Sequence, residues 1–147
     1  MGSDDVSARL DRLESISALT RIVHEFCRSA DQRDLERFMA LWHPDAVWVT
    51  HERAEGHDAI RAAILAQWDS LPELHHWATN VVVDADGDRG QVESDVLLLV
   101  RLRDGSRIRA ARTYRDVVER RDGLWRILER HAGPATSFDG DVTAFGA

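Results

Sequence analysis

The spacing of apolar residues changes character near the middle of the chain. Before Pro72 they recur every three or four positions; beyond it they recur every second position. Across residues 7–30, Leu13, Ile16, Thr20, Val23 and Cys27 fall on one helical stripe, flanked by Leu19, Ile22, Phe26 and Ala30. That is the pattern of a helix with one face on a core. A shorter helix is predicted over 34–42 on Leu35, Phe38, Met39 and Trp42, and Pro44 ends it by disfavouring helix at His43. Residues 46–52, rich in Val and Trp, read as a strand. Gly56-His57-Asp58 introduces a third helix over 59–69, with Ile60, Ile64 and Trp68 four apart and Asp58 as its N-cap.

Four long β segments are predicted next, over 74–84, 90–103, 106–120 and 124–131. Asp86-Gly87, Asp104-Gly105 and Asp122-Gly123 lie at their junctions, each a hairpin signal. Val92, Val96, Leu98, Val100 and Leu102 alternate onto one face, with Glu93, Asp95, Arg101 and Arg103 on the other. No repeat or long linker divides the chain, so one domain is expected. Its core spans about 7–131, and a polar tail from Gly133 carries Phe138 and Phe145. Helices, one strand, a helix and an antiparallel meander define an α+β class. Helices pack on one face of a curved, mainly antiparallel sheet, leaving a pocket between the sheet and the first helix.

Composition then narrows the chemistry. The 147 residues hold 26 acidic and 19 basic side chains, a net charge of −7, and all 19 basic residues are arginine. Without lysine there is no Schiff base, no pyridoxal phosphate anchor, no P-loop and no protein-kinase set. The net acidity argues against a nucleic-acid surface. Cys27 is the only cysteine, which excludes an internal disulfide, a CxxC pair and a cysteine zinc site, and suits a reducing cytoplasm. No run approaches the roughly 18 apolar residues of a membrane span, and the N-terminus is acidic rather than signal-like. The expectation is a cytoplasmic protein with no membrane partner, whose His, Asp, Arg and aromatic residues carry any chemistry.

Asp31 extends the stripe of Val23 and Cys27 by four residues. A carboxylate there is either a solvated helix end or a buried group that needs a partner. At the start of the first meander strand stands His75-His76-Trp77-Ala78-Thr79-Asn80. Alternation puts His76, Ala78, Asn80 and Val82 on one face and His75, Trp77, Thr79 and Val81 on the other, without selecting which faces inward. The chain has no HxH or HExxH spacing, so no metal is expected. Ile108, Ala110, Arg112 and Tyr114 share a face. Arg112, like Arg130, is either a rim residue or a buried anion partner. Trp48 reads as core or as a flat pocket wall.

These phrases resemble a known family. Ser29-Ala30-Asp31, Leu41-Trp42-His43-Pro44-Asp45-Ala46-Val47-Trp48, Gly56-His57-Asp58-Ala59-Ile60 and His76-Trp77-Ala78-Thr79-Asn80 resemble the nuclear transport factor 2-like superfamily, in its SnoaL-like branch. Thr113-Tyr114 and Glu119-Arg120-Arg121-Asp122-Gly123-Leu124-Trp125 match as well, so the likeness runs from about Leu10 to His131. Within the branch the chain is most similar to hexachlorocyclohexane dehydrochlorinases and, more distantly, scytalone dehydratases. The resemblance implies a cone-shaped barrel around a hydrophobic cavity. In it an Asp, here Asp31, orients a general-base His, here His76. Trp48, Val96, Ala110 and Tyr114 match cavity walls and Arg130 a cavity arginine. Cys27, Asn80 and Arg112 complete the candidate substrate-binding set.

With only one tyrosine, Tyr114, the paired tyrosines of the scytalone dehydratases have no counterpart. Arg112 stands where the dehydrochlorinases have a small residue, which favours a polar or anionic substrate if it points inward. The expected activity is a cofactor-independent lyase, of dehydratase or dehydrohalogenase type, in which the Asp31–His76 dyad removes a proton from carbon. An isomerase or cyclase on the same dyad, a non-catalytic small-molecule binding module, and the small subunit of a ring-hydroxylating dioxygenase are the alternatives. Homo-oligomerisation, as a dimer or trimer, is expected through the sheet's outer face and the aromatic-bearing tail.

Overall fold

A computed structural model describes residues 3–138. Phe145 of the tail lies outside them. The order is α1 (Ser3–Gln32), α2 (Leu35–Met39), β1 (Trp42–Val49), β2 (Arg53–Glu55), α3 (His57–Ser70), β3 (Glu73–Asp86), β4 (Arg89–Arg101), β5 (Arg107–Arg121), β6 (Leu124–Ala132) and β7 (Thr136–Ser137). The seven strands form one mixed, curved sheet in the order β2-β1-β6-β5-β4-β3, with β7 on β5. Its edges do not close on each other. The meander from β3 to β6 is antiparallel, as its pattern predicts, while β1 runs parallel to β6.

Helix α1 lies across the meander's concave face, and α3 packs on β1 and β2. The buried line on α1 runs through Leu19, Ile22, Val23, Phe26, Cys27 and Ala30. Leu13, expected on it, is exposed, because the first turns of α1 reach past the core. Helix α1 stops by local means. Arg33 takes φ 57°, and the Asp34 N–H donates to Ser29 O at 2.9 Å, a left-handed cap that closes the last turn. Trp68 of α3 donates its Nε1–H to Ala30 O at 2.9 Å, and Arg33 donates to Leu71 O at 2.8 Å. These contacts pin the helix end that carries Asp31.

Several boundaries differ from expectation. Helix α2 ends at Met39, and Trp42 opens β1 by pairing with Ile127. The register then slips between Trp42 and Val47, so His43-Pro44-Asp45 is accommodated as an irregularity within the strand rather than as a helix end. Helix α3 starts at His57, whose Nε2 lies 3.0 Å from Trp42 O. Gly56, with φ 83°, occupies the cap position, and Asp58 falls in the first turn, where its charge complements the helix dipole. The tail contributes β7, which the polar composition concealed.

The alternation expected along β3 holds only as far as Thr79. Asn80 adopts φ 51°, and the pairing with β4 slips between Thr79 and Val82. The bulge inserts one residue and reverses the faces, so Val81, Val83 and Ala85 pack on the core while Val82 points to solvent.

Candidate active site

The Asp31 carboxylate bridges the end of α1 to β3. Its Oδ2 accepts the His76 backbone N–H at 2.9 Å, and its Oδ1 lies 2.5 Å from His76 Nδ1. The side chains are 3% exposed for His76 and 19% for Asp31. An ionised carboxylate only accepts, so Nδ1 carries the proton and Nε2 presents a lone pair. The strand's alternation turns His75 the other way, to the exterior, where its Nε2 lies 3.1 Å from Glu73 Oε1.

Phe26, five residues before Asp31 on α1, joins this pair to a second polar group. Its ring meets His76 edge-on at 6.1 Å, and the Arg130 guanidinium lies 4.0 Å above its centroid. His76 and Arg130 are therefore within about 10 Å of each other. Arg130 is fully buried. Its Nε and Nη2 donate to Asp116 Oδ1 and Oδ2 at 2.6 and 2.5 Å, and Cζ lies 5.0 Å from the Tyr114 ring. Burial alone works against the guanidinium's charge, but the Asp116 carboxylate more than reverses that and holds it protonated. Arg130 Nη1 is buried without a hydrogen-bond partner.

Asp116 is the residue that sequence reasoning missed. It faces Arg130 directly across β5 and β6, and lies two residues from Tyr114 on the buried face. Alternation counted from Tyr114, together with an arginine in need of a counter-ion, was the available signal. Ser94, opposite Tyr114, is likewise buried with an unpartnered hydroxyl.

Trp48, Val96, Ala110, Tyr114 and Cys27 all line the same interior. Burial pushes the Cys27 thiol up to about 11 and the Tyr114 phenol up to about 12, against the lowering influence of Arg130 on both. Asn80 is not part of this set. The bulge turns it outward, where Nδ2 donates to Asp95 Oδ2 at 2.9 Å. Arg112 lies on the inner face of β5 between Ala110 and Tyr114 and is half-buried, with Nε unpartnered. A concavity of about 700 Å³ lined by Glu73, His75, Arg101 and Arg107 sits at the sheet's end and contains neither His76 nor Asp31. Among the described residues no three His, Cys, Asp or Glu side chains converge as a metal-binding set. No helix among them is long and apolar enough to cross a membrane.

Helices packed on a curved, open sheet, with a carboxylate-held histidine on its inner face, define the class of this protein by fold. Residues 11–131 match the SnoaL-like domain, and the chain belongs to that family. It is 32% identical over 130 residues to the gamma-hexachlorocyclohexane dehydrochlorinase of Sphingobium indicum, spanning 84% of this chain and 82% of that one. The crystal structure of a hexachlorocyclohexane dehydrochlorinase from Novosphingobium barchaimii superposes with a TM-score of 0.79 at 26% identity, over 90% of this chain and 96% of that one. A scytalone dehydratase-like structure from Novosphingobium aromaticivorans, at 20% identity over 88% of this chain and 91% of that one, shares the fold with a TM-score of 0.76.

Proposed function

We propose that the protein is a lyase that needs no cofactor and eliminates a small leaving group from a hydrophobic or cyclic substrate. The observation that carries this reading is the coupling of Asp31 to His76 through both carboxylate oxygens. That grip fixes ring orientation and tautomer together, and aims Nε2 at whatever occupies the interior.

In the proposed reaction Nε2 removes a proton from a substrate carbon. The C–H electron pair becomes the new C=C bond, and the leaving group departs from the adjacent carbon with its own electron pair. Asp31 stabilises the imidazolium that forms, as in a catalytic triad without the nucleophile. Arg130 Nη1 supplies a hydrogen bond to the departing atom. If the leaving group is hydroxide, the imidazolium returns its proton and water is released, which restores the dyad. If it is halide, the proton passes to solvent. The polar interior favours water.

Isomerase or cyclase chemistry uses the same proton abstraction without a departing atom. The 2.5 Å contact between Asp31 and His76 favours proton chemistry over a binding module, and the names of the relatives support the lyase class. We further propose a homo-oligomer, dimer or trimer, built on the sheet's outer face. There Trp77 and Leu97 are paired neighbours, 53% and 41% exposed.

The test is a spectrophotometric screen for alkene formation from hydroxylated and halogenated ring compounds, repeated with His76→Ala and Asp31→Ala. General-base catalysis is worth about 10²–10⁴-fold, and each variant should lose turnover on that scale. Undiminished turnover in both variants overturns the mechanism.

A further inference from the structure

The sheet's inner face carries two arginines, Arg130 fully buried and Arg112 half-buried, and the fold provides a counter-ion for one. Asp116 grips Arg130 with both oxygens. Arg112 forms no ion pair or hydrogen bond among the described residues, and its Nε is buried without a partner. A guanidinium stays protonated at every working pH, so this charge cannot be relieved by losing a proton. A buried donor left unpaired is costly, and a group that arrives with the substrate removes that cost.

The sheet register says where such a group would sit. Two neighbouring rungs cross the inner face of β3, β4 and β5. One holds His76, Leu98 and Ala110; the next holds Ala78, Val96 and Arg112. The base stands on β3 at one end of its rung, and the guanidinium stands on β5 at the opposite end of the next. With strands about 4.8 Å apart and same-face residues about 6.6 Å apart along a strand, the two Cα atoms are roughly 12 Å apart. The sheet positions between them are aliphatic, Ala78, Val96, Leu98 and Ala110, and the Phe26 ring lies close by, 6.1 Å from the His76 ring and 5.8 Å from Tyr114.

Two further observations fit a charged end at Arg112. Its field reaches the Tyr114 phenol, where it opposes the effect of burial. It also borders a concavity of about 430 Å³ with Asp95, Thr113 and Arg115 of the outer face and with Gly133, Pro134 and Thr136, where β5 has left β6 and not yet met β7.

We propose that Arg112 is the specificity-determining residue of this site. It seats a carboxylate at the end of the substrate remote from the reacting carbon. The substrate class is then a small, otherwise apolar carboxylic acid, in place of a neutral hydrocarbon or halocarbon. The word substrate rests on the lyase reading above; the anion seat does not, and is measurable without turnover.

The experiment is isothermal titration of the whole protein with cyclohexanecarboxylate and benzoate, each against its neutral amide, at pH 7.5. A charge-assisted, bidentate contact predicts that each acid binds at least about tenfold more tightly than its amide. Arg112→Leu and Arg112→Gln abolish the preference and bind the amides as before. Arg112→Lys keeps part of it, and His76→Ala keeps all of it. Removing Arg112 strands no counter-ion, so these variants fold, and a melting curve verifies it. Equal affinity for acid and amide means a solvated rim arginine and overturns the proposal. So does the absence of binding by any probe, or a preference that survives in Arg112→Leu. The two readings fail separately. Acid preference without elimination activity on any compound removes the lyase reading alone, and turnover of neutral compounds without acid preference removes this one alone.

Discussion

Asp31 with His76 and Asp116 with Arg130 are both carboxylates set against a nitrogen base inside one aromatic core, on either side of Phe26. They differ in what the base can do and in how the carboxylate is held. Asp116 and Arg130 sit on adjacent strands in direct register, 1% and 0% exposed, and exchange two charge-assisted hydrogen bonds. Neither partner can change protonation without leaving a bare charge in the core. Asp31 hangs from the last turn of a helix, keeps some contact with solvent, and holds an imidazole, a group able to take up and release a proton. The first arrangement resists proton movement and the second invites it. A buried ion pair is thus a scaffold when its cation is arginine and a reactive device when its base is histidine.

The largest effect that separates the two pairs is on stability. Asp116→Ala leaves the Arg130 charge buried and alone, which costs about 3–5 kcal/mol. Asp31→Ala removes hydrogen bonds from a partner that can remain neutral, at about 1–2 kcal/mol. Chemical denaturation of the two variants should rank them in that order by the midpoint, with unchanged slopes. The double change Arg130→Met with Asp116→Leu should recover most of the loss, because apolar replacements of similar volume spare both desolvation costs. Equal destabilisation by Asp116→Ala and Asp31→Ala would erase the distinction.

The same contrast explains what could be read from the chain. Asp31 was legible because a carboxylate continuing an apolar stripe is anomalous. His76 was legible as one of two, since alternation separates His75 from His76 without saying which faces in; the family phrase chose between them, and the structure turns His76 inward. Asp116 was not legible, because Arg115-Asp116 in a strand reads as a solvated pair until the face is counted from Tyr114. Arg112 was read as inward or rim, and the register sets it beside Val96 on the inner-face row. The fold class was readable from the change of period at Pro72. The β1 boundary and the bulge were not, because both depend on single residues whose conformation is set by their neighbours across the sheet.

A smaller effect concerns the other titratable groups around Phe26. If His76 is the proton acceptor, Cys27 and Tyr114 must be silent near neutral pH. Burial keeps their neutral forms dominant up to about 11 and about 12. Native protein at pH 8 should therefore show no thiol reaction with a disulfide reagent over the time in which denatured protein reacts fully. Tyrosinate absorbance should not rise below about pH 11. Rapid stoichiometric labelling of Cys27 in native protein would put a second nucleophile in the interior and blur the assignment.

The smallest effect tests whether the strand that presents His76 is independent of the bulge four residues further on. Asn80 holds a left-handed conformation with φ 51° and binds Asp95 on the outer face, away from both buried pairs. Asn80→Gly adopts that backbone freely and should leave stability within about 0.5 kcal/mol. Asn80→Val meets the steric cost of a β-branched residue at positive φ, about 1–2 kcal/mol, which shows as a lower melting temperature. The dyad lies on the regular half of β3, before the slip. Turnover measured well below the melting transition should therefore be unchanged in both variants. If Asn80→Val lowered turnover as far as His76→Ala does, the bulge would be part of what positions the base, and β3 would have to be treated as one mechanical unit from Glu73 to Asp86.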